Sequence, residues 1–194
     1  MHTQIDAQEQ EDDSGIAASV RFSVLPPFLR VILVTDGTVT RSLEAYFNEP
    51  IDVVVISHDE VPSDRHYPQI HVAPGDQILR RAVTLVGHHS RTPYAFAESI
   101  ITDRLAAHLR RKLFEGKKGI GELMREDRLE TYRELLDIRR RDAGARAPHL
   151  AISSAASVLT RTYRIYHDRR ATIQIEEAFP EARYHGAAPW QAAT

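Results

Sequence analysis

Two charged residues lie where a strand pattern calls for apolar side chains. Successive strand side chains point to opposite faces, so Arg81 and Glu177 would each share a face with three large hydrophobic residues. These neighbours are Leu79, Val83 and Leu85 for the arginine, and Ile173, Ile175 and Phe179 for the glutamate. A buried charge without a partner costs on the order of several kcal/mol. An arginine and a carboxylate lining one apolar pocket suit a small molecule with a carboxylate at one end and a hydroxyl at the other.

A structural explanation of these two residues is also open. Arg81 and Glu177 would pair with each other or with nearby charges, because structural ion-pair networks also bury charge. In the functional interpretation, the planar guanidinium of Arg81 binds a ligand carboxylate through two hydrogen bonds, and Glu177 accepts one from a ligand hydroxyl. Glu176 precedes Glu177, and a slip of one residue would turn Glu176 inward. The apolar alternation favours Glu177.

Glu98 and Arg161 also interrupt strand patterns. Glu98 shares a predicted face with Tyr94, Phe96 and Ile100. It is either a further pocket residue or a solvated side chain on a half-buried face. Arg161 lies among apolar residues and would be a partner for Glu98 or Glu177. On pattern alone, a structural salt bridge is the favoured role for Arg161.

The composition limits the classes of function. The chain has 194 residues, 42% hydrophobic and 27% charged, with a net charge of −2 and no cysteine. This length and composition predict one globular domain with tails, without disulfides or thiolate metal sites. There is no basic field for nucleic acid, no membrane span and no signal peptide, so we expect a cytoplasmic protein. His88 and His89 are adjacent at a predicted turn, and no metal site is predicted there.

Periodicity predicts an α+β fold with an antiparallel sheet and short helices over one face. Predicted strands are 53–56 and two hairpins, 78–86 with 93–101 and 157–166 with 171–179. Predicted helices are 28–34, 38–47, 103–115 and 120–124, with loops at 59–76 and 142–156. Residues 128–141 fit either a helix or a strand with Tyr132, Leu136 and Ile138 on one face. The predicted domain is 23–182, between a disordered acidic tail, 1–22, and a C-terminal tail, 183–194.

Several segments in this order resemble the chorismate pyruvate-lyase (4-hydroxybenzoate synthase) family, especially its divergent actinobacterial-type branch. The similarity covers roughly residues 28–180. The matching segments begin at Asp36, Arg81, Phe96, Gly119, Arg161 and Glu176. The resemblance implies a mostly antiparallel six-stranded sheet with helical flaps over a buried ligand site, and it favours a strand for much of 128–140.

The resemblance also implies an activity. Family enzymes convert chorismate to 4-hydroxybenzoate and pyruvate without metal or cofactor. Arg81 would hold the ring carboxylate, Glu177 would face the ether oxygen as a general acid, and backbone near Val39 and Ile120 would complete the pocket. Supporting roles for Glu98 and Arg161 are hypotheses. The expected pocket-lining positions, Val39, Tyr94 and Thr84, do not fix the substrate.

Two other functions remain open from the sequence. The first is a different enzyme on the same scaffold, acting on another carboxylated ring or biosynthetic intermediate. The second is a non-enzymatic binding module, since effector domains of certain bacterial transcription regulators share the fold. We expect no regulator here, because residues 1–25 are too short and too polar for a helix-turn-helix segment. The expected partner is a small carboxylate, and the sequence leaves the oligomeric state open.

Overall fold

The strands form one six-stranded antiparallel sheet, in the order β1-β2-β3-β6-β5-β4. The computed structural model describes residues 20–115 and 118–185. The strands are β1 (Ile51–Pro62), β2 (Gln77–Gly87), β3 (Pro93–Thr102), β4 (Thr131–Asp142), β5 (Ser157–His167) and β6 (Arg170–Pro180). The helices are α1 (Pro27–Val34), α2 (Val39–Phe47), α3 (Ala107–Glu115), α4 (Ile120–Glu126) and α5 (Ala147–Leu150). The predicted fold class is confirmed.

Both predicted hairpins are present, and they meet at the centre of the sheet. The turn between β5 and β6 places Asp168 and Arg169 at φ 50° and 60°, as a two-residue hairpin loop with left-handed central residues requires. The two hairpins join where β3 pairs with β6, with Ala97 opposite Glu177 and Ser99 opposite Ile175. This pairing brings the strand that follows Arg81 in the chain next to the strand that carries Glu177.

The ambiguous segment is the edge strand β4, and its predicted strand face was wrong. The register shifts between Leu135 and Asp137, so the pairing with β5 contains a bulge. Ile138 is buried, but Tyr132 is 65% exposed and does not share its face. A bulge inserts one residue and reverses the alternation beyond it. The inward positions are therefore Arg133, Leu135 and Ile138, opposite Ile165, Tyr163 and Arg161 of β5.

The sheet is covered unequally on its two faces. On one face, α1 and α2 pack over a cluster that includes Leu29, Leu43 and Phe179. Next to it, α3 and α4 pack over a second cluster that includes Leu109 and Ile175. The opposite face is covered by α5 and by the turn at Pro68–Ile70 through two smaller clusters. The candidate site lies between the two clusters on the first face.

Packed residues occur slightly beyond both ends of the predicted domain range. Val20 is only 4% exposed and belongs to the core, so the packed chain begins before residue 23. At the other end, Tyr184 is buried and its hydroxyl donates to the carbonyl oxygen of Tyr94 at 2.8 Å. The remaining predicted tails, 1–19 and 186–194, lie outside the described residues. Within the described ranges, no helix is long and apolar enough to cross a membrane.

Glu49 fixes the turn between β2 and β3 from the end of α2. Its Oε1 accepts from the Tyr94 hydroxyl at 2.6 Å, and its Oε2 accepts from the backbone N–H groups of His89 and Ser90 at 2.9 and 3.0 Å. A Cβ on Gly87 would lie 2.4 Å from Oε1, so only glycine leaves room for this carboxylate. Burial opposes the charge, but the hydrogen bonds outweigh it and lower the pKa of Glu49 from 4.5 to about 2.

Glu49 should therefore make stability depend on pH in the acid range. Its folded pKa lies below its ordinary value, so its contribution is complete above pH 4.5 and is lost as the pH falls towards 2. The difference in free energy of unfolding between wild type and Glu49→Gln should be largest above pH 4.5 and shrink below it. Urea unfolding at several pH values measures this difference. A constant difference from pH 5 to pH 2 would show that the carboxylate does not act in this way.

Candidate functional site

A cavity lies between the sheet and the first turns of α2 and α4, and the empty space there, counted together with adjoining open solvent, is about 530 Å³. It is lined by Gly37, Thr38, Val39, Thr40, Val53, Arg81, Val83, Leu85, Ala97, Ser99, Gly119, Ile120, Gly121, Arg133, Tyr163, Ile165, Ile175 and Glu177. Most of these side chains are apolar, and the charged ones converge from β2, β4 and β6. This composition is typical of a site for a small ligand held by a few polar groups.

Arg81 enters the cavity from β2 and is only 1% exposed. One of its terminal nitrogens donates to the carbonyl oxygen of Lys118 at 2.8 Å, and its buried Nε has no hydrogen-bond partner among the described residues. Within residues 20–115 and 118–185, no carboxylate lies within ion-pair distance of Arg81. Burial lowers the pKa of Arg81, but an arginine remains charged at neutral pH. A buried cation of this kind is suited to receive an anionic ligand.

Glu177 enters the same cavity from β6, and it has protein partners. Its Oε2 accepts from Arg161 Nε at 2.6 Å, and its Oε1 accepts from the Tyr163 hydroxyl at 3.2 Å. The register places Glu177 rather than Glu176 on the cavity face, because Glu177 lies opposite Ala97 and Arg161. Glu176 points to the opposite face, where it pairs with Arg146. Because both oxygens of Glu177 accept hydrogen bonds, the geometry favours an acceptor over the expected general acid.

Arg161 lies behind Glu177 rather than in the cavity wall. Its guanidinium is 2% exposed and stacks over the Tyr163 ring at 4.9 Å. Burial opposes its charge, but the nearby Glu177 carboxylate raises the pKa of Arg161 above its ordinary value. Burial, and then the charge of Glu177, raises the pKa of the Tyr163 hydroxyl, which stays a proton donor at neutral pH. The pattern-based prediction of a salt bridge for Arg161 agrees with this geometry, and its partner is Glu177.

Arginines also hold the segments that cover the cavity. Arg161 donates to the carbonyl oxygens of Ile32 at 2.6 Å and Thr35 at 2.8 Å, at the end of α1. Arg133 donates to the carbonyl of Asp36 in the loop before α2, and Arg81 donates to the segment before α4. The covering segments are therefore bound to the sheet through three arginines, of which Arg81 and Arg133 also line the cavity. Ligand binding and closure would act on the same groups.

Val39 and Ile120 line the cavity as expected, and each is the first residue of a helix. The first N–H groups of a helix lack intrahelical acceptors, so polar backbone groups occur next to these apolar side chains. Gly121 follows directly. A Cβ on Gly121 would lie 3.1 Å from an Arg133 nitrogen and 3.2 Å from Thr38 Oγ1, so the two covering segments meet closely here.

Three residues expected near the ligand lie elsewhere. Glu98 is on the opposite face of β3, half exposed, with its carboxylate 3.9 Å from Arg146. It lies directly opposite Glu176, and Arg146 compensates the two like charges. Thr84 also faces away and donates to the carbonyl of His149 at 3.4 Å. Tyr94 is bound to Glu49 outside the cavity. The predicted substrate contact of Glu98 does not fit this placement.

Arg133 is a charged cavity residue that was not predicted from the sequence. On β4 it shares the inward face with Leu135 and Ile138, so it is a charge among apolar residues in the same sense as Arg81. A charge among apolar residues was therefore present in the sequence, but the bulge at Leu136 interrupts the alternation that would have revealed it. Tyr163, Ser99 and Thr38 were also missed as cavity residues. Among the described residues, no group of three or more His, Asp or Glu side chains is arranged to hold a metal ion.

The sequence profile of the Rv2949c-like chorismate pyruvate-lyase family matches residues 33–185. This range spans the sheet, the cavity and both covering segments. The chain belongs to this family. A protein named chorismate pyruvate-lyase from Mycobacterium tuberculosis is 26% identical over 164 residues, which cover 82% of each chain. A protein of the same name from Mycobacterium leprae is 34% identical over 107 residues, 55% of this chain and 51% of that protein.

Solved structures place this chorismate pyruvate-lyase family member in a wider fold group. The effector domain of PhnF from Mycobacterium smegmatis superposes with a TM-score of 0.62 at 15% identity, covering 77% of this chain and 92% of that one. The C-terminal domain of the histidine utilization repressor from Pseudomonas syringae gives 0.56 at 12% identity, covering 73% and 99%. At these identities the likeness concerns the fold alone.

Proposed function

We propose that the protein converts chorismate to 4-hydroxybenzoate and pyruvate without a cofactor. The observation that carries the proposal is Arg81, a buried cation that lines a largely apolar cavity and whose Nε has no hydrogen-bond partner among the described residues. Membership of the chorismate pyruvate-lyase family and relatives bearing that name support chorismate as the carboxylated ring. An arginine in such a place matches a ligand carboxylate, because the guanidinium fork suits two carboxylate oxygens.

The reaction balances without an external electron acceptor or group donor. The bond between ring carbon C3 and the ether oxygen breaks, and the hydrogen on C4 leaves as a proton. The ring becomes aromatic, and its own C4 hydroxyl becomes the phenol. The ether oxygen departs with the enolpyruvyl group, which gains a proton on its methylene carbon and becomes pyruvate. The enzyme therefore needs to orient the substrate, exclude water and assist proton movement.

Glu177 suits the C4 hydroxyl better than the ether oxygen implied by the family resemblance. The ether oxygen leaves with pyruvate, whereas the hydroxyl stays on the ring. In the structure both Glu177 oxygens act as acceptors, towards Arg161 and Tyr163, and each carboxylate oxygen has capacity for a second hydrogen bond. We assign Glu177 to accept from the C4 hydroxyl. It would fix the ring while Arg81 holds the carboxylate at the other end.

The covering segments would exclude water during the reaction. Thr38 and Val39 at the start of α2, together with Gly119 and Ile120 at the start of α4, close over the ring position. In this proposal the segments close over the bound ring, so they have to open before the aromatic product leaves. Such opening limits the turnover of many enzymes with closed sites. We therefore expect 4-hydroxybenzoate to inhibit the reaction that forms it.

A second candidate is a binding module that holds a carboxylated ring without turnover. The observation that favours it is the fold shared with regulator effector domains. A third is an enzyme acting on another carboxylated ring. Incubation of the purified protein with chorismate, followed by chromatography, separates them. Formation of 4-hydroxybenzoate supports the lyase. Tight binding of 4-hydroxybenzoate with chorismate left intact would reject the lyase and favour the binding module, and the absence of both would leave another carboxylated ring.

A further inference from the structure

Arg133 is a second cation at the cavity, far from Arg81 in the sheet. It projects from β4, whereas Arg81 projects from β2, and the strand order places four strand spacings between them. On a flat sheet this separation is about 19 Å between backbones. Sheet twist and the long side chains bring both guanidinium groups to the wall of one cavity. A ligand between them would meet one cation at each end.

Arg133, like Arg81, has a buried guanidinium nitrogen without a hydrogen-bond partner among the described residues. One terminal nitrogen donates to the Asp36 carbonyl, and the buried Nε has no hydrogen-bond partner in the part of the chain that the structure describes. Across the described residues, no carboxylate lies within ion-pair distance of Arg133. By contrast, Arg161 and Arg164 on the adjacent strand have Glu177 and Glu134 as partners at 2.6 and 2.9 Å. The positive charge of Arg133 is therefore available to an anionic ligand in the cavity.

The charges around the cavity match a dianion. Arg161 and Glu177 cancel each other, and Arg81 and Arg133 leave two positive charges without acidic partners among the described residues. A monocarboxylate would neutralise one of these charges. A ring with one carboxylate on the ring and one on a side group would neutralise both. Complementary charge of this kind is a common basis of ligand specificity.

We propose that Arg133 binds the second carboxylate of the substrate, the one on the enolpyruvyl group. This assignment rests on the proposed lyase function, and it makes Arg133 the residue that distinguishes substrate from aromatic product. 4-Hydroxybenzoate has lost the second carboxylate, so of these two arginines it interacts with Arg81 only. The loss of the Arg133 contact then favours release of the products after the C3–O bond breaks.

The position of Arg133 also fits the departure of pyruvate. Arg133, Thr38 and Gly121 line both the cavity and an outer cleft. The outer cleft is further lined by Asp36, Met124, Arg125, Leu129, Thr131 and Tyr132. A carboxylate held by Arg133 lies at the boundary between these two spaces. The pyruvate formed there would reach solvent through the cleft without passing the ring.

The test compares two probes that the enzyme cannot turn over. One is 4-hydroxybenzoate, and the other is 3-[(1-carboxyvinyl)oxy]benzoate, an aromatic ring that carries both carboxylates. In Arg133→Met, calorimetry should show affinity for the dicarboxylate reduced by roughly 10- to 150-fold, as loss of a charged hydrogen bond predicts. Affinity for 4-hydroxybenzoate should stay within about twofold of wild type, because Arg81 is intact. Arg81→Met should weaken both probes.

Two further variants show whether a loss of binding comes from the missing charge or from a disturbed fold. Arg133→Gln retains a donor for the Asp36 carbonyl but not the charge, and it should show the same selective loss. Arg139→Met removes an exposed arginine of the same strand that pairs with Asp137, and it should bind both probes as the wild type does. An equal loss for both probes in Arg133→Gln, or no loss for either, would overturn the assignment.

The outcome separates this assignment from the proposed function. If the wild type forms 4-hydroxybenzoate from chorismate but Arg133→Gln binds both probes normally, the lyase stands and the role of Arg133 is rejected. If the wild type leaves chorismate intact but binds the dicarboxylate through Arg133, the lyase is rejected and the second carboxylate site stands.

Discussion

Replacement of Arg81 by methionine is expected to reduce kcat/KM for chorismate by roughly 30- to 5,000-fold, the factor equivalent to about 2–5 kcal/mol. This range is typical for removing one partner of a buried, hydrogen-bonded charge pair. The free energy of unfolding should stay the same or rise, because Arg81 has no acidic partner among the described residues and its desolvation opposes folding. Initial rates and urea unfolding measure the two effects.

The matched control for Arg81 is the next residue. Arg80 lies on the opposite face, 39% exposed, and pairs with Asp64 at 3.1 Å. Arg80→Met should leave turnover unchanged and alter stability by less than about 1 kcal/mol. A strongly destabilised Arg81→Met that keeps its turnover per folded molecule would mean that Arg81 is a structural residue. The functional interpretation would then be wrong.

Separate replacement of Arg161 and of Glu177 by methionine is expected to cost about 3–5 kcal/mol of stability each, because each change leaves the other charge buried without its partner. The double variant should be more stable than the sum of the single changes predicts, by about 2–3 kcal/mol. It should not regain wild-type stability, since Arg161 also donates to the carbonyls of Ile32 and Thr35. Denaturant unfolding of the four proteins gives the coupling energy.

A second pair on the same sheet serves as a control for this cycle. Arg164 and Glu134 are 2.9 Å apart on the opposite face of β5 and β4, where both are partly exposed. The same methionine cycle should give a coupling energy below about 1 kcal/mol, because water screens the pair. Equal coupling in the two pairs would contradict the buried, ligand-facing environment assigned to Glu177.

The sequence predicted the part of the site that lies on regular strands. Arg81 and Glu177 stand in uninterrupted alternation, and a charge in such a pattern either pairs or serves a ligand. In the structure Glu177 pairs with Arg161, while Arg81 has no acidic partner in the described residues. The pattern alone did not separate these cases, because pairing depends on which strands become neighbours. Glu177 lies directly opposite Arg161 across the β5–β6 hairpin, whereas Arg81 lies between His58 and Ser99 of its two neighbouring strands.

The errors came from local features that interrupt a period of two. A bulge after Leu135 reverses the faces of β4, so the strand alternative placed Tyr132 on the face of Ile138, and Arg133 was missed. Glu98 failed for a different reason. Both faces of β3 are packed. On the face away from the cavity, apolar residues such as Phe96 pack under α5, and their pattern in the sequence is the same as that of a cavity wall. A single sequence gives no means to tell which apolar face is opposite the ligand.

The most direct test is the molar ratio of products formed from chorismate by chelator-dialysed protein. We expect 4-hydroxybenzoate and pyruvate to appear at equal rates, each matching the loss of chorismate, with Arg80→Met at the wild-type rate and Arg81→Met strongly impaired. This result would establish the reaction, its independence of dissociable metal and the role of Arg81. Unchanged chorismate in the presence of folded protein that binds 4-hydroxybenzoate would contradict the account, and the cavity would then be a binding site without lyase activity.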